Sequence, residues 1–182
     1  MSDCNWPGND KLMQRYHDEE WGKPNHSDKV HFEFLILEGA QAGLSWKTIM
    51  NRREGYKKAF YGYDWDKVSR MTEKDLELLL KNPGIIRNRL KIKSAINNAK
   101  RFIEVQREFG SFDNYLWNFT DGQVINNHPK SLQEIPATSG LSDKISKDLK
   151  ARGFTFAGST IIYAHLQAVG IVNDHLAGCS FK

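Results

Sequence analysis

Residues 78–96 read LLLKNPGIIRNRLKIKSAI, and this stretch decides the class of fold. A helical leucine run stops at Pro83-Gly84, a short apolar bend follows, and a basic helix begins: the outline of a helix-hairpin-helix. Gly84 allows the tight turn, and amides left free at the start of the next helix can hold a phosphate. Arg87, Arg89, Lys91, Lys93, Lys100 and Arg101 give the segment a positive field. The same pattern also describes an ordinary helix pair with a solvated basic face. Ile86 stands where such hairpins typically carry a second glycine, so the motif is incomplete.

On either side the helix signals continue. Ser27 precedes DKVHFEFLILEGAQAG, in which Val30, Phe34, Leu35 and Leu37 form one broad apolar face. Ser45 can cap WKTIMNRREGYKKAF, and Thr72 opens TEKDLELLLKN with Asp75 in place of the usual capping-box Glu. Ile92, Ala95, Ile96, Ala99 and Ile103 recur at helical spacing in RNRLKIKSAINNAKRFIEVQREFG. Ser142 is read as the start of DKISKDLKARG, with Gly153 at its C-terminal cap, and STIIYAHLQAVG as a buried helix. Period-two alternation is scarce, and the loopiest stretch runs from Asp121 to Gly140. The expectation is an all-α fold, one domain over residues 1–182 or two helical lobes sharing a core.

Composition narrows the class further. Apolar residues make up 40% and charged residues 26% of 182 residues, ordinary values for a soluble globular protein. No apolar run approaches the roughly 20 residues of a membrane span. The first residues, MSDCNWPGND, lack the basic and apolar segments of a secretory leader, so the expectation is cytoplasmic, with no membrane partner. The net charge of +4 is compatible with nucleic acid but does not demand it. There are only two cysteines, Cys4 and Cys179, each accompanied by a histidine, His17 and His175. Chance, a disulfide and a metal clasp are all possible; in a reducing compartment paired Cys and His more often mean metal.

Two further segments carry candidate chemistry. In LEGAQAGLSW, residues 37–46, Glu38 falls in the middle of an apolar helix. A carboxylate there is either turned outward or held for a purpose, because burial without partners is expensive. Gln41, the Gly43-Leu44 tip and Trp46 follow closely, so an acid, an amide, a wedge-like leucine and an indole can line a nucleobase pocket. Near the N-terminus, Trp6, Tyr16 and Trp21 cluster with Cys4 and His17. Aromatics so dense are often core; they are also the parts of a stacking site.

Taken together, YHDEEWG, LEGAQAGLSW, PGIIRNRLKI, SKDLKARGFTFAGST and NDHLAGC resemble the constitutive 3-methyladenine DNA glycosylase I family, from end to end. The resemblance implies a relative of the helix-hairpin-helix glycosylases whose termini are joined by one structural zinc ion. By position its ligands are Cys4, His17, His175 and Cys179, with His175 and Cys179 one helical turn apart and no position left for water. It also makes Glu38 and Tyr16 the residues contacting the excised base, with Trp46 stacking on it and Trp6 and Trp21 as further aromatic walls. Met13 departs from the family, where a tyrosine is common.

The implied activity is release of 3-methyladenine from double-stranded alkylated DNA by a monomeric enzyme that rotates the nucleotide out of the stack. Gly84, Arg87 and Arg89 would hold phosphates, and Leu44 would fill the gap or, alternatively, belong to the core. Many related glycosylases place a catalytic aspartate about twenty residues beyond the hairpin. Here the only acid between Gly84 and Glu108 is Glu104, and no lysine context marks a Schiff-base nucleophile. A hydrolase without strand cleavage is therefore expected. The rivals are a metal-clasped DNA-binding module without activity and a protein-interaction helical bundle.

Overall fold

Asp10 begins the first helix by accepting from the amides of Leu12 and Met13, so α1 runs Lys11–Glu19 and buries Met13, Tyr16 and His17 on one face. The computed structural model describes residues 4–182. After α1 come α2 (Asp28–Gln41), α3 (Trp46–Met50), α4 (Arg53–Ala59), α5 (Trp65–Ser69) and α6 (Glu73–Leu79). The second half contains α7 (Arg89–Phe109), α8 (Phe112–Trp117), α9 (Gly140–Ala151) and α10 (Ser159–Ala168). Two short parallel segments, β1 (Ile125–Asn126) and β2 (Val172–Asn173), pair Ile125 with Val172 and Asn126 with Asn173. The all-α expectation holds; this small ladder departs from it, and α1, α5 and α8 are helices the sequence reading did not name.

Helix α2 is the axle. It buries His31, Phe32 and every residue from Phe34 to Ala40, as a helix apolar on nearly all sides must. Helices α7, α8 and α10 pack around it, and α10 also packs on α9. Asp28, the first residue of α2, accepts from the amides of Phe112 and Asp113 at 3.0 and 2.8 Å and from the Gln106 side chain at 2.6 Å. One carboxylate thus satisfies the exposed N-terminus of α8 and fixes it against α2 and α7. A continuous cluster of buried side chains extends from Met13 and Tyr16 to Val172.

Several boundaries differ from expectation. The segment WKTIMNRREGYKKAF is two helices, broken at Asn51-Arg52, so that Arg53 can turn back toward α1 and α2. Helix α6 ends at Leu79, before Pro83, and α7 starts at Arg89 rather than Arg87 because the Asn88 side chain caps it at the Lys91 amide. Helix α9 is opened by Ser139, with Ser142 as its reciprocal capping partner rather than as the cap itself. The Thr72–Asp75 capping box and the Ser45 cap form as expected. His175 and Cys179 are not on a helix; turns after β2 present them. The helix-to-helix turn is pressed against α4: a Cβ on Gly55 would stand 2.0 Å from the Gly84 carbonyl oxygen, so only glycine permits this approach.

Candidate active site and metal centre

Segments far apart in the chain contribute to one cavity. Helix α1 supplies Tyr16, α2 supplies Glu38 and Gln41, and Trp46 opens α3. Trp6 and Trp21 lie on either side of α1. The cavity is about 350 Å³, within the range of small-ligand sites. Every residue read from the sequence as a base contact lines it. Leu132, Ile135, Ala164 and Gln167 complete the wall. Those four were missed: the first two sit in the loop-rich stretch, where periodicity carries no signal, and the last two on a helix legible only as buried. Gln167 is held by its amide nitrogen, which donates to the buried Asp174 carboxylate at 2.7 Å.

The aromatic walls brace one another. Trp6 meets Trp21 edge-on with ring centroids 5.2 Å apart, and Tyr16 lies 5.6 Å from Trp46, which stacks on Phe34 at 6.3 Å. Such contacts fix ring planes without filling the space between them. The orientation of α1 against α2 is set by Arg53. Its two terminal nitrogens donate to Glu20 at 2.8 Å each, and its Nε donates to Glu33 at 2.7 Å. This bidentate pair fastens the helix of Tyr16 to the helix of Glu38. Met13 is buried but does not line the cavity.

Glu38 is only 3% exposed, and its Oε2 has no hydrogen-bond partner among the described residues. Burial alone pushes its carboxyl up to about 8, so at neutral pH the free cavity holds it mostly protonated. Of the two alternatives for this residue, the outward-turned one is excluded. Tyr16 is raised well above the ordinary tyrosine range, by burial first and by Glu38 second. The indole nitrogens of Trp6 and Trp46 are likewise buried without partners among the described residues. A cavity lined by aromatic faces, with an uncompensated acid and unpaired donors, is built for a polar, flat ligand.

At the rim, Gly43 adopts φ +76° and turns the chain out of α2, leaving Leu44 39% exposed. Leu44 is therefore not a core residue. In the helix-to-helix turn, the Gly84 amide donates to the Asn82 side chain at 2.8 Å and the Ile86 amide to the Tyr56 hydroxyl at 3.1 Å. Arg87 is exposed, with no ion pair among the described residues. Arg89 instead donates to Glu73 at 2.5 Å and to Glu77, so its charge is already partnered.

Cys4, His17, His175 and Cys179 are all buried, and their ligand atoms lie within 4.8 Å of one another. No disulfide joins the cysteines. Cys179 Sγ is 3.3 Å from His175 Nδ1 and 3.8 Å from His17 Nε2, and Cys4 Sγ is 3.9 Å from His175 Nδ1. The edges of a tetrahedron around an ion bound at about 2.3 Å to sulfur and 2.0 Å to nitrogen are about 3.3–3.8 Å, and these three contacts, at 3.3–3.9 Å, lie close to them. The far ring nitrogens are held as metal-binding histidines require: His175 Nε2 donates to the Trp21 carbonyl at 2.8 Å, and His17 Nδ1 to Asp18 at 2.7 Å. The cluster can hold a metal ion.

Comparison with known proteins agrees with this geometry. The family described as methyladenine glycosylase matches residues 6–182. DNA-3-methyladenine glycosylase 1 of Escherichia coli K12 is 44% identical over 98% of this chain and 96% of its own length. The 3-methyladenine DNA glycosylase I of Staphylococcus aureus superposes with a TM-score of 0.96 at 33% identity, covering 99% of this chain and 96% of that one. A variant of 3-methyladenine DNA glycosylase I in complex with 3-methyladenine superposes at 0.97 with 32% identity, covering 100% and 98%. The resemblance drawn from the sequence motifs is thus shown over nearly the whole length, and the chain belongs to the methyladenine glycosylase family.

Proposed function

We propose that this protein is a DNA-3-methyladenine glycosylase that releases the alkylated base hydrolytically from duplex DNA and leaves the strand intact. The observation that carries the reading is the buried, unpartnered Glu38 carboxyl inside an aromatic-walled cavity. Binding phosphates alone needs no such group, which disfavours the DNA-binding module, and a helical interaction bundle needs neither the acid nor the cavity.

The target nucleotide must leave the stack, at a cost of a few kcal/mol. Leu44, exposed at the glycine-turned tip, is suited to occupy the space it vacates. Arg87, Lys93 and Lys100, all exposed, supply backbone contacts that read no sequence. Inside the cavity, Trp46 stacks on the electron-poor ring, and cation–π attraction favours a cationic base over a neutral one. The arriving positive charge favours the ionised carboxyl, so Glu38 releases its proton to solvent as the base enters and then accepts from the exocyclic amine. Tyr16 orients the same edge. N3-alkylation makes the base cationic, so its C1′–N9 bond is already weak. When that bond breaks, the electron pair stays with N9 and the base departs neutral, so no strong acid is needed. Water adds to C1′ and loses its proton to solvent.

The acid nearest the expected aspartate position, Glu104, is exposed and paired with Arg101. No lysine lines the cavity, which favours hydrolysis over a Schiff-base route. The Cys₂His₂ set suits one structural zinc ion per chain: four protein ligands leave no site for water, and the ion would tie the two ends of a monomeric chain together. The test of the reading is direct. The purified protein, incubated with methylated duplex DNA, should release free 3-methyladenine and leave alkali-labile abasic sites in unbroken strands. Tight DNA binding with no released base would refute it.

A further inference from the structure

Lys91 is the third residue of α7, yet its side chain does not join the basic surface of that helix. Its stem borders a small void with Ile36, Tyr56 and Phe60. Its ammonium then donates to two carbonyls at the end of α2, Ala40 at 2.7 Å and Ala42 at 2.6 Å. The last carbonyls of a helix lack partners within it and form the negative end of its dipole. Helix α2 has no basic residue of its own in its last turn. The cation that caps it is delivered from the helix that follows the hairpin.

The two clamped carbonyls flank Gln41, which lines the cavity, and Glu38 lies just before them in α2. Immediately after them come Gly43 and the exposed Leu44, whose amide donates to the Gln41 carbonyl at 2.6 Å. A single ammonium therefore grips the point where the base-binding helix becomes the rim loop. Its own backbone belongs to the first turn of α7, directly behind Arg87 and the turn at Gly84.

We propose that Lys91 is a positioning residue that couples backbone contact at the hairpin to placement of the Gly43-Leu44 tip against the duplex. The inference rests on the glycosylase reading above. It assigns Lys91 no contact with base or phosphate. Its role is exerted through the α2 terminus, so losing it harms extraction of a base from DNA and spares recognition of a base already free. A residue that merely stabilised the fold would affect both alike.

The experiment compares wild type, Lys91→Met, which keeps the stem and removes the cation, and Lys91→Arg, which keeps the cation with altered reach. Three quantities are measured: single-turnover release of 3-methyladenine from methylated duplex, quenching of tryptophan fluorescence by free 3-methyladenine, and affinity for undamaged duplex. Lys91→Met should slow release on the order of tenfold or more, with both affinities within about twofold of wild type. Lys91→Arg should fall between the two. Release within twofold of wild type, or a parallel fall in release and free-base affinity, overturns the proposal. If Lys91→Met does not fold, Lys91→Arg decides by the same criterion: slowed release with intact free-base affinity supports coupling, and any other pattern overturns it. A wild-type protein that binds free base but releases none from DNA would instead sink the glycosylase reading.

Discussion

Replacing Glu38 with glutamine should make the protein more stable and less active, and both effects follow from one buried group. The carboxyl is pushed up to about 8 by burial, against 4.5 for the free side chain. Between those values the folded protein keeps a proton that the unfolded chain has released, so the group's stabilising contribution is complete below about pH 4.5. It is lost progressively as pH rises through 8. At about 1.36 kcal/mol per unit, the loss reaches roughly 3 kcal/mol at pH 7 and approaches 5 kcal/mol above pH 8. The substituted amide has no proton to lose, so the variant should match wild type near pH 4.5 and exceed it increasingly as pH rises.

Activity should move the other way. The ionised carboxylate makes a charge-assisted bond to a cationic base, worth roughly twice a neutral one, so Glu38→Gln should lose on the order of 2 kcal/mol, about thirtyfold in single-turnover release. At neutral pH part of the wild-type advantage is spent on deprotonating Glu38. The rate of wild type under subsaturating DNA should therefore climb with pH and level off above about 8, while the variant stays flat and the gap widens. Urea unfolding at pH 5, 7 and 8.5 and release of 3-methyladenine over the same range test both halves. A Glu38→Gln variant of unchanged stability at every pH would refute the burial argument, and wild-type release would refute the assignment to the base.

Three other perturbations separate the remaining parts. Purified protein should carry one zinc per chain by elemental analysis. Cys179→Ser should lower metal content and melting temperature together, with activity falling as folded protein is lost and as the Trp6 wall beside the cluster loosens; no metal and an unchanged melt would sink the clasp. Arg87→Ala should weaken binding to all duplex sequences alike and reduce the salt slope by about one, whereas Arg89→Ala should do less because Glu73 and Glu77 already hold that guanidinium. Equal effects from the two single variants, measured by salt titration, would argue against this division. His165 is fully buried, both its ring nitrogens lack partners among the described residues, and burial followed by His31 drives its pKa well below 6.5. It therefore weakens the fold as pH falls below about 6.5, where only the unfolded chain takes up the proton. His165→Phe should raise stability by about 1–3 kcal/mol and remove that acid-side slope in urea unfolding, and an unchanged slope would count against it.

The sequence was most legible where chemistry and periodicity pointed the same way. Glu38 stood out because a carboxylate in an apolar run has few explanations, and the cavity bears out its burial. The cysteines and histidines stood out because their scarcity and pairing left few alternatives, and they converge as a set. What could not be read was geometry made by distant partners. Nothing near Arg89 in the chain announces that Glu73 and Glu77 will reach it across the turn, so a basic residue in a basic helix looked free. His175 and Cys179 have the spacing of a helical turn, yet no helix forms there. The chain leaves β2 through turns, and spacing alone could not distinguish the two. Ala164 and Gln167 were indistinguishable from core, since which face of a buried helix borders an empty space depends on what fails to fill it.

That dependence also locates the fold's weak point. The cavity walls come from the N-terminal segment, α1, the α2–α3 junction, the loop at Leu132 and α10, and short elements such as α3 have little helical stability of their own. Two ties keep them in register: Arg53 fastens α1 to α2, and Lys91 fastens the end of α2 to α7; the Cys–His cluster, which can hold a metal ion, brings the N-terminal segment against the chain beyond β2. Trp6 packs against that cluster as well as lining the cavity. With a metal bound at that cluster the outer aromatic wall would depend on the clasp, while Glu38 depends on α2, which is buried on its own account. Disturbing the clasp should loosen how the base is stacked before it changes the acid's burial, so loss of metal and loss of carboxylate leave different signatures at the same cavity.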